Sequence, residues 1–167
     1  MATPTPTGRL VSTEAGQHLI LERSLPVGLQ EAWTSLTDAE QTAKWIGRWE
    51  GNGHAGETIR LQLGFEDDAP WADVRIIVCE APNRLRVVTL DAEVNTAWDL
   101  AVELTEGTAS TDLVFTMYSV DPSAVEEIGP GWEYYLDQLM ASLTGAPMPA
   151  FEDYYPGQQE YYRSLAG

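Results

Sequence analysis

The sequence is poor in cysteine, in cations and in long apolar runs, and each shortage excludes a class of protein. The only cysteine, Cys79, has no partner for an internal disulfide, and its apolar run VRIIVCE favours a buried, inert thiol. The chain has nine Lys and Arg residues and 26 Asp and Glu residues. The resulting formal net charge of -17 would repel nucleic-acid phosphates and anionic lipids. No apolar stretch approaches the roughly 20 residues of a spanning helix, and the N-terminus lacks signal-peptide features. We therefore expect a cytoplasmic protein with no nucleic-acid and no membrane partner.

Motifs for cofactors, metals and nucleophiles are also scarce. The two histidines and the single cysteine stand far apart, and no H-E-x-x-H, C-x-x-C, Walker or G-x-S-x-G spacing occurs. Gly51, Gly53 and Gly56 match G-x-G-x-x-G as letters, but TIRLQL after them alternates like a strand, whereas a dinucleotide site needs a helix there. We interpret these glycines as a turn between strands, and we expect no cofactor and no metal.

The length and composition predict one domain with a distinct segment at each end. A chain of 167 residues has the usual size of a single domain, and no repeat or linker divides it. Residues 1–8 are rich in Thr and Pro without apolar periodicity, so we expect a mobile tail there and a single domain over 9–167. This domain includes a Tyr-rich C-terminal extension, 146–167. Its aromatic side chains should pack back on the domain or on a second copy, which leaves a homodimer open.

Apolar periodicity predicts the order of the elements. Residues 17–25 alternate as a strand, residues 29–36 then carry apolar side chains at helical spacing, and Asp38 can cap a second short helix. Most of the next 70 or so residues have period two with short turn signals between the runs, which indicates antiparallel hairpins.

A long helix follows these strands. In GPGWEYYLDQLMASLTG the apolar residues at i, i+4, i+7 and i+11 are Trp132, Leu136, Leu139 and Leu143. A helical turn capped by Asp121 is expected upstream, ending at a break over 129–131. The predicted fold class is α+β: a curved antiparallel sheet of about six or seven strands wrapped around the long C-terminal helix, with two short helices after the first strand.

Two segments carry a resemblance to a known family. LERSLPVGLQEAWTSLTDAEQTAKWIGRW resembles the opening strand and helices of the START-like (SRPBCC, Bet v-like) helix-grip superfamily, and GPGWEYYLDQLMASLTG resembles its C-terminal helix. Within it, the chain is most similar to homologues of the activator of a heat-shock chaperone ATPase, and the tail resembles an extension seen in some bacterial members. The resemblance implies the helix-grip fold over about 17–145. It also implies a cavity between sheet and helix, in which members bind apolar molecules and a minority catalyse cyclisation or dehydration.

The balance of aromatic residues agrees with such a cavity. Six Trp and seven Tyr stand beside only three Phe, and Trp and Tyr rings join apolar area to a polar tip. The leading hypothesis is therefore the binding of a small hydrophobic or aromatic molecule between the sheet and the C-terminal helix. The candidate ligand-binding residues are Leu61, Trp98, Leu100, Val102, Phe115, Tyr135 and Leu139.

Two other functions stay open on the sequence. A polyketide cyclase- or dehydratase-like enzyme using the same cavity would need a titratable side chain inside it, and the candidates are Glu31, Asp73, Arg75 and Asp99. A protein-interaction module related to chaperone ATPase activators would have a filled core instead. The volume and polarity of the space beneath the C-terminal helix distinguish the three.

Overall fold

The computed structural model describes residues 3–90 and 98–167, which form eight strands and four α-helices. The strands are β1 (Arg9–Thr13), β2 (Gly16–Leu25), β3 (Trp49–Glu50), β4 (Thr58–Gln62), β5 (Trp71–Glu80), β6 (Arg84–Leu90), β7 (Asp99–Glu106) and β8 (Thr111–Tyr118). The helices are α1 (Leu29–Thr37), α2 (Ala39–Thr42), α3 (Val125–Thr144) and α4 (Gln159–Leu165), with short 3-10 turns at Pro122–Ala124 and Phe151–Asp153.

All the strands belong to one antiparallel sheet in the order β1-β2-β8-β7-β6-β5-β4-β3. Its register aligns the apolar side chains of period two on one face, called here the inner face; Leu21, Phe115 and Val102, for example, stand side by side on β2, β8 and β7. The predicted α+β helix-grip architecture is confirmed. The eight strands are slightly more than the six or seven predicted. The two residues of β3 are too few to show a period of two, and β1 follows a segment without apolar periodicity, so neither strand stands out in the sequence.

Helix α3 lies against the inner face and buries Trp132, Leu136 and Leu139, while Leu143 at its end is half-buried. The expected break over 129–131 is absent, and the helix runs through Pro130. Pro130 lies in the second turn, where it removes a single N–H donor, and packing of the following turns keeps the helix continuous. The helix ends as predicted at Gly145, whose φ of 75° is the left-handed C-cap conformation.

The second of the two short helices after β2 begins at the cap residue that the sequence predicts. Asp38 accepts hydrogen bonds from the backbone N–H groups of Glu40 and Gln41 and so caps α2. Trp45 is buried after α2 and donates from its indole N–H to the carbonyl of Ser35 at 2.8 Å. The turn interpretation of the three glycines is confirmed as well, since they lie between β3 and β4.

Both ends of the described chain lie against α3. The segment 3–8, for which the composition predicts mobility, has defined partners: Gln158 donates to the carbonyl of Pro4, and Tyr161 donates to the carbonyl of Gly8 at 2.7 Å. Tyr154 and Tyr162 of the C-terminal extension are buried, so these tyrosines pack back on the domain. Local composition does not reveal this arrangement, because the partners of each end come from the other end of the chain.

None of the helices within 3–90 and 98–167 is both long and apolar enough to cross a bilayer.

Candidate ligand-binding cleft

The helices cover the inner face of the sheet unevenly. Helix α3 packs closest to β2, and α1 packs against β7. The main core lies under these helices, and a second, smaller core of Ile59, Val74 and Ile76 lies on β4 and β5. Half-buried side chains join the two cores at Cys79, Leu85 and Val87. We call this half-buried part of the inner face, together with the side of α3 that borders it, the cleft.

The structure places the seven predicted ligand-binding residues on the inner face or on α3, at different depths. Leu100, Phe115 and Leu139 are buried in the main core. Val102 and Tyr135 are half-buried against that core, and Leu61 is half-buried against the smaller core. Trp98 is the most open, with 38% of its surface exposed. The three buried residues form the floor, and Val102, Tyr135, Leu61 and Trp98 are the ones with accessible surface.

An aromatic group forms the border between the floor and the open side. Trp132 lies at its centre, with ring centroids 4.5 Å from Phe115, 6.3 Å from Trp98 and 5.7 Å from Tyr135. These separations and the tilted or edge-on geometries are those of favourable aromatic pairs. The backbone of Trp98 is held opposite Thr89, which accepts from the Trp98 N–H through its hydroxyl and donates its own N–H to the Trp98 carbonyl. Trp98 therefore presents a partly exposed indole to solvent from a backbone held by two hydrogen bonds.

The loop between β4 and β5 is attached to α3 at the edge of this aromatic group. The hydroxyl of Tyr135 donates to Glu66 at 2.8 Å. Burial and the hydrogen bond to the Glu66 carboxylate both raise the pKa of Tyr135 well above its usual range, so the phenol stays protonated. Glu66 is not among the residues predicted from the sequence, because a loop residue carries no periodicity that would indicate its partner.

The four candidate catalytic residues lie away from the cleft. Asp73 and Arg75 are exposed on the outer face of β5, and Glu31 is exposed on α1. Asp99 forms a bidentate pair with Arg86, with N–O distances of 2.8 and 2.7 Å, and the Arg86 guanidinium lies over Tyr118. The register places this pair on the outer face. The structure thus brings none of these four side chains to the inner face.

A buried ionic cluster lies on the other side of α3, where it joins β2 to both ends of the chain. Arg23 donates to Glu133 at 2.7 Å and to Asp137 at 2.9 Å, and its side chain is only 10% exposed. Glu133, with 1% exposure, also accepts from the Tyr162 hydroxyl and from the backbone and hydroxyl of Thr7. Burial acts to raise the pKa of Glu133, but hydrogen bonds from Tyr162, Arg23 and Thr7 outweigh burial and hold that pKa below its usual value.

The cluster is absent from the residues predicted above, although the sequence contains a signal for it. Arg23 is two residues away from both Leu21 and Leu25 on β2, so its side chain lies on the same, inner face. An unpaired cation buried on that face would be costly. Glu133 and Asp137 are four residues apart on the helix that covers that face, so both can reach one guanidinium.

Two further features of the described chain bear on ligands. An open groove of about 550 Å³ lies between residues 3–6 and the segment around α4, away from the cleft. In the described ranges, no three His, Cys, Asp or Glu side chains come together in a way that would hold a metal ion.

An antiparallel sheet whose inner face is covered by a long C-terminal helix defines the chain as a helix-grip protein of the START-like class. Residues 27–144 match the family described as Activator of Hsp90 ATPase homolog 1-like protein, and the chain belongs to that family. A comparison with the curated proteins gave no match.

Solved structures extend the likeness of fold to nearly the whole chain. The crystal structure of CalU16 from Micromonospora echinospora has a TM-score of 0.77 and 22% identity, and the match covers 97% of each chain. The protein encoded by gene BPP1335 from Bordetella parapertussis has a TM-score of 0.71 and 23% identity over 99% of this chain and 94% of that one. DynU16, a putative protein in the dynemicin biosynthetic locus, has a TM-score of 0.70 and 23% identity over 80% of this chain but only 50% of its own.

Proposed function

We propose that the protein binds a small hydrophobic or aromatic molecule in the cleft between the inner face of the sheet and α3. The observation that carries this proposal is the aromatic group of Trp98, Trp132 and Tyr135 at the edge of a half-buried apolar surface. Trp98, at 38% exposed, has lost only part of its contact with water, so a ligand that covers its indole would gain further hydrophobic free energy.

The ligand would lie on the half-buried residues rather than on the buried floor. Val102, Leu85 and Val87 supply an apolar wall, and Tyr135 supplies a hydroxyl at the rim. An apolar site with a few polar groups at its edge is the usual composition of small-molecule sites. DynU16, a relative in fold, is described as belonging to a biosynthetic locus, which agrees with a role that involves a small molecule.

The geometry gives less support to the two alternatives. A polyketide cyclase- or dehydratase-like enzyme would need a titratable group at the cleft, and its four candidates lie on the outer face or on α1. The protein-interaction module gains one argument, since the Trp132 ring, 4.5 Å from Phe115, occupies part of the space beneath α3. The apolar wall of Val102, Leu85 and Val87 is only half-buried, and this uncovered surface favours a small-molecule ligand over the interaction module.

Thermal unfolding in the presence of neutral probes tests the proposal. Naphthylmethanol, a long-chain alcohol and a sterol are suitable probes. A probe that binds the native state raises the free energy of unfolding by about 2.7 kcal/mol when its concentration is a hundred times its Kd. For a chain of this size the corresponding rise in Tm is about 5 to 10 °C.

The matched variants replace one half-exposed tryptophan inside the cleft and one outside it. Trp98→Ala should reduce the Tm rise, whereas Trp71→Ala should leave it unchanged, because Trp71 lies on the outer face between Arg48 and Arg60. If no probe raises the Tm of the wild-type protein, the ligand proposal fails and the interaction module takes its place. Equal effects of the two variants would also contradict the proposed site.

A further inference from the structure

We propose that the cleft selects a ligand that carries a positive charge beside its aromatic or apolar part, an aromatic ammonium compound being the simplest case. This inference rests on the proposed function and adds the sign of the ligand's charge. It is carried by the carboxylate of Glu66, which the Tyr135 hydroxyl holds at the rim of the aromatic group.

Three contacts connect the Glu66 carboxylate to the aromatic group. Its Oε2 atom accepts from the Tyr135 hydroxyl at 2.8 Å, and the Tyr135 ring lies 5.7 Å from Trp132. Trp132 in turn lies 6.3 Å from Trp98. The carboxylate is thus bonded directly to the hydroxyl of one member of the aromatic group. Among the described residues, Tyr135 is the one hydrogen-bond donor to the side-chain carboxylate of Glu66, which leaves the Oε1 atom available to a ligand.

The charged groups around this rim favour a cation. Asp67 and Asp68 follow Glu66 in the same exposed loop. The cation on the inner face, Arg23, is already paired with Glu133 and Asp137 on the far side of α3.

The cations of the neighbouring strands point away from the cleft. Arg48 and Arg60 lie on the outer face, with guanidinium carbons 5.0 and 4.8 Å from the centroid of Trp71. The guanidinium groups of Arg23, Arg48 and Arg60 are therefore not placed to pair with a ligand anion at the rim. The ammonium group of Lys44 donates to the side-chain carbonyl of Gln41.

Aromatic faces and net charge add to the effect of the carboxylate. A cation within about 6 Å of an indole or phenol ring is attracted by the ring quadrupole. The chain has a net charge of -17, so its long-range field concentrates cations and repels anions. A ligand carboxylate would meet Glu66 and this unfavourable field at once, whereas a ligand ammonium group would meet a carboxylate, aromatic rings and a favourable field.

The test compares three naphthalene probes that differ only in charge: naphthylmethylamine as the cation, naphthylmethanol as the neutral compound and naphthoate as the anion. Calorimetric titration at neutral pH and low salt should rank them in that order. The rim carboxylate is exposed to water, so we expect the ammonium probe to bind about 3- to 10-fold more tightly than the alcohol. Raising the salt to about 300 mM should narrow this gap, because exposed charges are screened.

Two variants with the same change in net charge localise the effect. Glu66→Gln should remove most of the preference for the ammonium probe while the alcohol still binds. Glu57→Gln should leave the preference intact, because Glu57 is exposed at the opposite end of β4. Both side chains are exposed, so neither substitution is expected to disturb folding.

The outcomes separate this inference from the proposed function. If all three probes bind equally, the charge selectivity is overturned and the neutral binding site stands. If the ammonium probe is preferred but Glu66→Gln leaves that preference unchanged, the assignment to Glu66 is overturned. If no probe binds, the proposed function itself fails.

Discussion

The buried carboxylate of Glu133 connects four parts of the chain, so its neutralisation should destabilise the fold strongly. Its two oxygens accept from Thr7 and Gly8 in the N-terminal segment, from Arg23 on β2 and from Tyr162 on α4. Glu133→Gln preserves the shape of the side chain and removes the charge. One oxygen becomes an NH2 group, which donates and does not accept, so it would face groups that are themselves donors.

The magnitude follows from the surroundings of Arg23. Removing one partner of a buried ion pair costs about 3 to 5 kcal/mol when the other charge is left uncompensated. Here the Arg23 side chain is 10% exposed, and it keeps Asp137, whose side chain is 32% exposed. Because this second carboxylate still neutralises part of the charge, we expect the lower end of the range, about 3 kcal/mol.

Urea unfolding followed by circular dichroism measures this loss. The midpoint should fall in Glu133→Gln, and the control Glu22→Gln should stay within about 0.5 kcal/mol of wild type. Glu22 pairs with Arg9 at 2.6 Å, but both side chains are more than half exposed, so that pair contributes little. A loss below about 1 kcal/mol in Glu133→Gln, with an unchanged slope, would refute the reasoning that the cluster joins the two ends of the chain.

Three further predictions concern the packing of α3 and its ionic cluster. Leu139→Ala, at a fully buried site, should cost about 2 to 5 kcal/mol in urea unfolding, and Leu143→Ala at the half-buried helix end should cost clearly less; equal losses would contradict the packing. Because the pKa of Glu133 is lower in the native state than in the unfolded state, its carboxylate stabilises the fold above the unfolded pKa of about 4.3, and this stabilisation is lost as pH falls through the native pKa. In Glu133→Gln the free energy of unfolding should therefore depend less steeply on pH in that acid range. Gly129→Ala should shift α4 and lower the Tm, since an added Cβ would lie 2.4 Å from the Tyr162 ring; an unchanged Tm would exclude this close packing.

The spacing of apolar residues in the sequence is enough to predict the main elements of the fold. The strand after residue 16, the first helix after Pro26 and the Trp132–Leu139 stripe follow from the spacing of apolar residues, because one buried face imposes its period on the sequence. The second helix follows from its cap at Asp38. The family followed from the same segments, since the matched residues 27–144 contain the first helices and the C-terminal helix. The alternation of side chains along the strands also assigns Val102 and Leu61 to the inner face, where the structure has them.

Depth within the cleft was decided by the tertiary structure alone. The alternation of side chains along a strand assigns each residue to one face of the sheet, but it does not say how far a helix covers that face. Phe115 is therefore buried floor while Val102, its neighbour across β7 and β8, is half-buried. The same limit applies to Trp98, whose exposure depends on the position of Trp132 across the cleft.

Polar partners distant in sequence were likewise a tertiary outcome. Glu66 meets Tyr135 across 69 positions and Thr7 meets Glu133 across 126, and neither local composition nor period encodes such a pairing. The Thr- and Pro-rich segment 3–8 looks unable to order itself because it has no apolar surface of its own. Its contacts come instead from a buried carboxylate and from the tyrosines of the other terminus, which the fold of the whole chain brings within hydrogen-bond distance.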